Sequence, residues 1–182
     1  VILIRHGAPA ENGVCYGHSD PALAVPAEAT ARSLPPTLAE QAGAWYCSPS
    51  SRCLEVAQRL VPAKQLTTVD ALRELNFGDW EQQPWSAIEH SALDAWAERP
   101  LDFRMPGGES ARDLFNRVEA WATGAGIKEG DVIVAHAGSL RALAAVMLEQ
   151  PFERTWQWPV PYGTALIINS RGTGFDLWDR DD

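Results

Sequence analysis

The chain has 182 residues, 46% hydrophobic and 21% charged, with 24 acidic against 15 basic side chains and a formal charge of −9. A chain of this length builds one ordinary core, burying roughly 70% of the surface its unfolded form exposes, and its composition is far from that of disordered proteins. The acidic balance argues against a general nucleic-acid binder, whose grip comes from Lys and Arg on phosphates, and no run approaches the roughly 18 apolar residues of a membrane span.

Val1–Arg5 is a short apolar run ending at a charge and Gly7, which reads as a buried strand feeding a loop. Residues 13–26 are rich in Gly, Pro, Asp and Ser and read as loop; a helix over about Ala27–Ser33 is closed by Pro35-Pro36. Ala44–Cys47 is a second strand. A helix follows over about Ser51–Leu60, for which Ser48 is a natural N-cap and Pro49 suits the first position. Leu66–Val69 is a third strand candidate. The stretch from Leu72 to Pro106 is irregular with short helices and includes a lid-like insertion at about 79–106, where Trp80, Trp85 and Trp96 form either an aromatic cap or a small satellite core. Glu109–Ala122 is an amphipathic helix with Leu114, Phe115, Val118 and Trp121 on one side. Asp131–Ala135 is a strand, and a helix over Ser139–Leu148 opens after Gly138. Ala165–Ile168 and Phe175–Trp178 flank the turn-forming residues 170–174 as a hairpin. This alternation predicts one α/β domain over residues 1–182, a three-layer α/β/α sandwich with a mostly parallel central sheet and an antiparallel edge.

Ligands in such sheets sit beyond the carboxyl ends of the strands, and three strand ends here carry polar clusters. In Arg5-His6-Gly7 the histidine follows a buried strand, the arginine offers a fork of donors to an anion, and the glycine lets the chain pass close to a ligand. His136-Ala137-Gly138 repeats the pattern at a helix N-terminus, where free N–H groups face an anion. Ser48…Arg52 adds an arginine in the first turn of a helix, able to turn back toward the same mouth. Each cluster alone has an ordinary structural explanation; two strand-end histidines together are hard to explain as core packing.

Leu3-Ile4-Arg5-His6-Gly7 with Asn12, Cys47 through Arg52, Leu72 through Glu81, and Val134 through Arg141 occur in the order seen in the histidine phosphatase superfamily, which the chain resembles from residue 3 to about residue 148. Finer features, Gly13 through Gly17, Asp20, Pro84-Trp85 and Pro106 through Ser110, resemble the alpha-ribazole phosphatase branch. The resemblance implies the phosphoglycerate-mutase-like fold and a metal-independent phosphomonoesterase without cofactor, acting on a small phosphorylated metabolite. It implies that His6 is the nucleophile, that Arg5, Arg52 and His136 hold the phosphoryl oxygens, and that Glu74 is the proton donor. Asn12 and the Ala137 backbone would add donors, and Trp85 and Trp96 would offer an aromatic surface to the rest of the ester. A broad-specificity phosphatase, a mutase that rephosphorylates its product, and an inactive phosphate-ester-binding scaffold stay open as alternatives; a mutase of this family generally carries longer insertions, and a scaffold would have lost His6 or Glu74.

Three positions depart from the family pattern: Ala8 where many members have an acidic or amide residue, Val56 where many have Thr, and Gln82 where Gly is common. Their expected effect is on the pocket rim. His18 and His90 read as surface residues, and no His-Glu-x-x-His motif or Cys/His cluster supports a metal site. Cys15, Cys47 and Cys53 form no Cys-x-x-Cys pair, which fits a reducing cytoplasm better than a disulfide framework.

Overall fold

The computed structural model describes residues 1–40, 43–168 and 175–177. Six strands, β1 (Ile2–Arg5), β2 (Trp45–Cys47), β3 (Leu66–Thr68), β4 (Val132–Ala135), β5 (Ala165–Ile168) and β6 (Phe175–Leu177), form one sheet in the order β3-β2-β4-β1-β5-β6. β3, β2, β4 and β1 run parallel, whereas β5 and β6 are antiparallel to their neighbours and make the expected antiparallel edge. The turn expected at residues 170–174, and Trp178, lie outside the described residues.

Side chains alternate across a strand, so the central strands feed two cores. Ile4, Cys47, Val132 and Val134 face α1 (Ala27–Ser33) and α2 (Ser51–Leu60), while Leu3, Ile133, Ala135 and Leu166 face α4 (Ala111–Ala125) and α5 (Ala137–Met147). A fifth helix, α3 (His90–Glu98), sits in the stretch read as irregular. The result is the expected three-layer sandwich. Each fully buried Leu, Ile or Val contributes about 1.5–3 kcal/mol relative to exposure, and β4 is buried along its whole length.

Two helix starts differ from the sequence expectation. The N-cap of α2 is Ser50, not Ser48, and its side chain makes no capping bond; the Ser48 hydroxyl is drawn instead to His136. α5 opens at Ala137, two residues early, because Gly138 is a helical residue placed there by a close neighbour. α4 begins at Ala111 behind a capping box of Ser110 and Asp113 and ends at Gly126, whose φ of 63° is the left-handed cap that glycine takes without penalty.

Candidate active site

Because β1, β2 and β4 are parallel, their carboxyl ends open on one edge of the sheet. β1 and β4 are adjacent, with Arg5 opposite Ala135 and the His6 N–H donating to the Ala135 carbonyl, so the residue after each strand is a histidine at the same level. The rings of His6 and His136 meet edge to face with centroids 5.0 Å apart. Both side chains are about 1% exposed. His6 Nδ1–H donates to the Gly7 carbonyl at 2.6 Å, which leaves the lone pair on Nε2. Burial first, and then the charges of Arg52 and Arg5, lower the His6 pKa to about 3, against the carbonyl bond that raises it, so the ring is neutral at physiological pH. Burial and the neighbouring His6, Arg52 and Arg5 hold His136 well below its ordinary value too.

Arg52 is fully buried. Nη1 donates to the Ser19 carbonyl at 2.9 Å and to Asp20 Oδ1 at 2.8 Å, and Nη2 donates to the Gly17 carbonyl at 2.8 Å and to His136 Nδ1 at 3.3 Å. With Nδ1 accepting, His136 Nε2–H donates to the Ser48 hydroxyl at 2.8 Å. Arg5 donates to the Val160 carbonyl at 2.6 Å and lies face-on over the Tyr162 ring, 3.6 Å from its centroid. The buried Nε atoms of Arg5 and Arg52 have no partner among the described residues.

Glu74 is the carboxylate of the cluster. Its carboxylate accepts from the Gly138 and Leu75 N–H groups, both at 3.0 Å. A Cβ on Gly138 would lie 2.2 Å from Glu74 Oε1, so only glycine lets the first turn of α5 come this close. The Glu74 segment is held from behind by Arg117, which donates to the Ala71 and Glu74 carbonyls and pairs with Glu109, whose carboxylate in turn accepts the Asn76 N–H.

These groups border a cavity of about 410 Å³. His6, Arg52, Glu74, His136 and Ala137 are among the residues that line it. So are the apolar side chains of Phe77, Trp85, Trp96 and Trp156. Trp85 and Trp96 stack with centroids 6.2 Å apart and planes 13° from parallel, and Trp80 behind them is buried against Phe103. The tryptophans thus combine the two roles weighed from sequence, with Trp80 in the core and the other two on the cavity. Tyr162 and Tyr16 also line it, joined by a 2.5 Å hydrogen bond between their hydroxyls. Arg5 reaches this region from behind Tyr162 and is not itself a lining residue.

Other expectations fall elsewhere. Asn12 is exposed on the turn before Gly13 and does not line the cavity. His90 is exposed, but His18 is half-buried with a buried Nε2 that has no partner among the described residues, because the loop carrying it folds against Glu81. Val56 is in the α1/α2 core and not on a rim. Arg117 and Tyr162 are site neighbours that no local motif marked; the Ala71, Glu74, Arg5, His6 and Tyr16 partners that bring them here lie 43 to 157 residues away in the chain. Among the described residues no group of three or more His, Cys, Asp or Glu could hold a metal ion, and no helix is long and apolar enough to cross a membrane.

A neutral buried imidazole with one free nitrogen, a buried arginine and a carboxylate around one cavity, with Arg5 behind Tyr162, is an arrangement able to attack phosphorus and hold its oxygens. The model of the histidine phosphatase superfamily (branch 1) matches residues 1–180, and the chain belongs to that family. It is a phosphatase of the histidine type. Phosphoserine phosphatase 1 of Hydrogenobacter thermophilus is 25% identical over 180 residues, covering 93% of this chain and 85% of the relative. The alpha-ribazole phosphatase of Shigella flexneri superposes with a TM-score of 0.75 at 25% identity, covering 97% of this chain and 93% of that one. A mycobacterial glucosyl-3-phosphoglycerate phosphatase shares the fold at a TM-score of 0.72 and 23% identity, covering 91% and 87%.

Proposed function

We propose that the protein hydrolyses a phosphate monoester through a phosphohistidine on His6, and that its substrate is alpha-ribazole 5′-phosphate. In the first step His6 Nε2 attacks phosphorus, the P–N bond forms as the ester P–O bond breaks, and protonated Glu74 gives its proton to the departing alcohol oxygen. In the second, Glu74, now a carboxylate, takes a proton from water whose oxygen attacks phosphorus; the P–N bond breaks and inorganic phosphate leaves. General acid and base assistance of this kind contributes about 10²–10⁴-fold. The Arg52 guanidinium and the Ala137 N–H, both on the cavity, would meet phosphoryl oxygens, and Arg5 would join them once the Tyr162 ring in front of it shifts. Arg52 and His136 would exchange their mutual contact for others.

The observation that carries the chemistry is the Gly7 carbonyl bond to Nδ1, which holds His6 in the tautomer a nucleophile needs. The observation that favours the ribazole ester is the Trp85–Trp96 stack on the cavity wall, since a flat base on an aromatic face gains about 1–3 kcal/mol. The test is turnover, in EDTA, of alpha-ribazole 5′-phosphate, p-nitrophenyl phosphate and phosphoserine. Trp85→Ala and Trp96→Ala should each raise KM for the ribazole ester about tenfold, the equivalent of about 1.4 kcal/mol, and barely affect the nitrophenyl ester. Equal losses on both esters would make the tryptophans supports of the wall's own fold and sink the substrate assignment.

A second reading has its own observation. Arg141, half-buried on the cavity, gives Nε and Nη2 to one neutral acceptor, the Trp158 carbonyl. A cation so placed suits a carboxylate on the substrate, as in phosphoserine. Higher kcat/KM for phosphoserine than for the ribazole ester would establish that reading instead.

A further inference from the structure

The Glu81 carboxylate lies outside the cavity, yet it gathers an unusual number of donors. It accepts the N–H groups of Gly17, His18 and Ser19 at 2.9–3.0 Å, the Ser19 hydroxyl, and the Phe77 N–H at 3.0 Å. Three consecutive amides turned toward one carboxylate force their peptide planes into a tight arc. The Gly17 carbonyl shares a peptide plane with the His18 N–H and so points the other way, toward Arg52, and the Ser19 carbonyl that follows the arc accepts from Arg52 as well. The arc passes so close to the Leu75 segment that a Cβ on Gly17 would lie 1.8 Å from the Leu75 carbonyl oxygen, which only glycine allows. The same strip of chain is tied by backbone bonds between Cys15 and Gln82 and between Cys15 and Gln83.

The carbonyls matter because Arg52 is fully buried and has one carboxylate partner, Asp20. Gly17, Ser19 and Asp20 take three of the four hydrogens on its outer nitrogens, which leaves Nε–H, without a partner among the described residues, and the hydrogen shared with His136. A guanidinium is a planar fork whose value depends on its orientation.

We infer that Glu81 is a positioning residue for the reaction: it shapes the 17–19 loop into an acceptor cup that sets the angle at which Arg52 meets the phosphoryl group. The inference rests on the phosphatase reading given above. Burial alone would raise the Glu81 pKa, but bonds from the Ser19 hydroxyl and the three amides bring it below its ordinary value, so the carboxylate form that the cup needs prevails at neutral pH. Because Phe77 is a donor in the same set, the carboxylate also fixes the cup to the aromatic wall.

The test is a double-mutant cycle with Glu81→Gln and Arg52→Lys, read by kcat/KM for p-nitrophenyl phosphate and inhibition by orthovanadate, both at a temperature well below melting, with the melting temperature recorded alongside. Gln has one acceptor oxygen and turns an NH₂ toward donors, so Glu81→Gln should weaken vanadate and lower kcat/KM by at least about tenfold. In the Arg52→Lys background it should change either by less than about twofold, since the group it orients is gone. A Glu81→Gln protein that melts lower but binds vanadate within about twofold of wild type would overturn the inference, as would equal losses in both backgrounds. If Glu81→Gln does not fold, Ser19→Ala, which removes one donor from the cup, enters the same cycle with an expected loss of about threefold and the same overturning results. The phosphatase reading is tested separately in the series by His6→Ala, whose retained turnover would refute that reading whatever the cycle gives.

Discussion

An imidazole attacks phosphorus only while one nitrogen keeps its lone pair, and two features protect that state in His6. The Gly7 carbonyl selects the tautomer, and burial beside Arg5 and Arg52 holds the pKa near 3. Protonation would remove the lone pair, so kcat should not fall between pH 7 and pH 5; an acid limb in kcat with a midpoint near 6.5 that persists in a His18→Asn control would show that the nucleophile titrates at its ordinary value. Arg52→Lys keeps the charge but loses the fork, and it leaves buried carbonyls without donors. Lost hydrogen bonds to a charged group cost about 1.5–3 kcal/mol, so kcat/KM should fall by about 10–100-fold with a parallel loss of vanadate affinity. Unchanged kinetics would show that Arg52 only braces the 17–20 loop. These two residues were legible in the sequence, because Arg5-His6-Gly7 and the start of α2 lie within one motif each. Ser48 and His18 were not: a serine before a proline looks like a helix cap, and a loop histidine looks exposed, until partners 88 and 63 residues away fold against them.

At the scale of elements, the strands and most helices followed from apolar runs and their punctuation. β1, α1, α2 and β4 lie close to where their patterns place them. The start of α5 did not follow, since Gly138 has the look of a helix boundary. It is in fact a contact point between two elements, the first turn of α5 and the Glu74 segment that Arg117 braces. Gly138→Ala tests this. The methyl would meet the flexible end of Glu74 at 2.2 Å, so the carboxylate is expected to swing away while the helix tolerates or even favours alanine. The expected outcome is a kcat reduced by at least about tenfold with stability changed by no more than about 1 kcal/mol. Full activity in this variant would mean that Glu74 is not needed where the structure holds it. The irregular stretch from Leu72 to Pro106 was the least legible, because its order comes from aromatic contacts such as Phe77 with Trp85 and Trp96 and not from any repeating pattern.

For the molecule as a whole, folding two neutral histidines into the interior couples stability to pH. Unfolded, each takes up a proton near pH 6.5; folded, His6 does so only near 3, and His136 also lies well below the ordinary value. Above 6.5 neither state binds the proton and the stabilisation is fully present. As pH falls below 6.5 the unfolded state binds more protons, and stability should decline by about 1.4 kcal/mol per pH unit for each such histidine. Asp20 and Glu81, whose pKa values are lowered as well, contribute only below about pH 4. Urea midpoints between pH 7 and 4.5 should therefore slope downward in the wild type and flatten in His6→Asn and His136→Asn; equal slopes in all three would refute the assignment. The adjacency of β1 and β4 also bears on how such a protein changes over generations. Its two histidine rings follow directly on paired strands of one backbone ladder, so their separation belongs to the main chain and is indifferent to which side chains line the rest of the cavity. Replacements at Phe77, Trp85 or Trp96 can then exchange one ester for another while the phosphorus chemistry is inherited intact, and a lineage can diversify by rewriting a single wall.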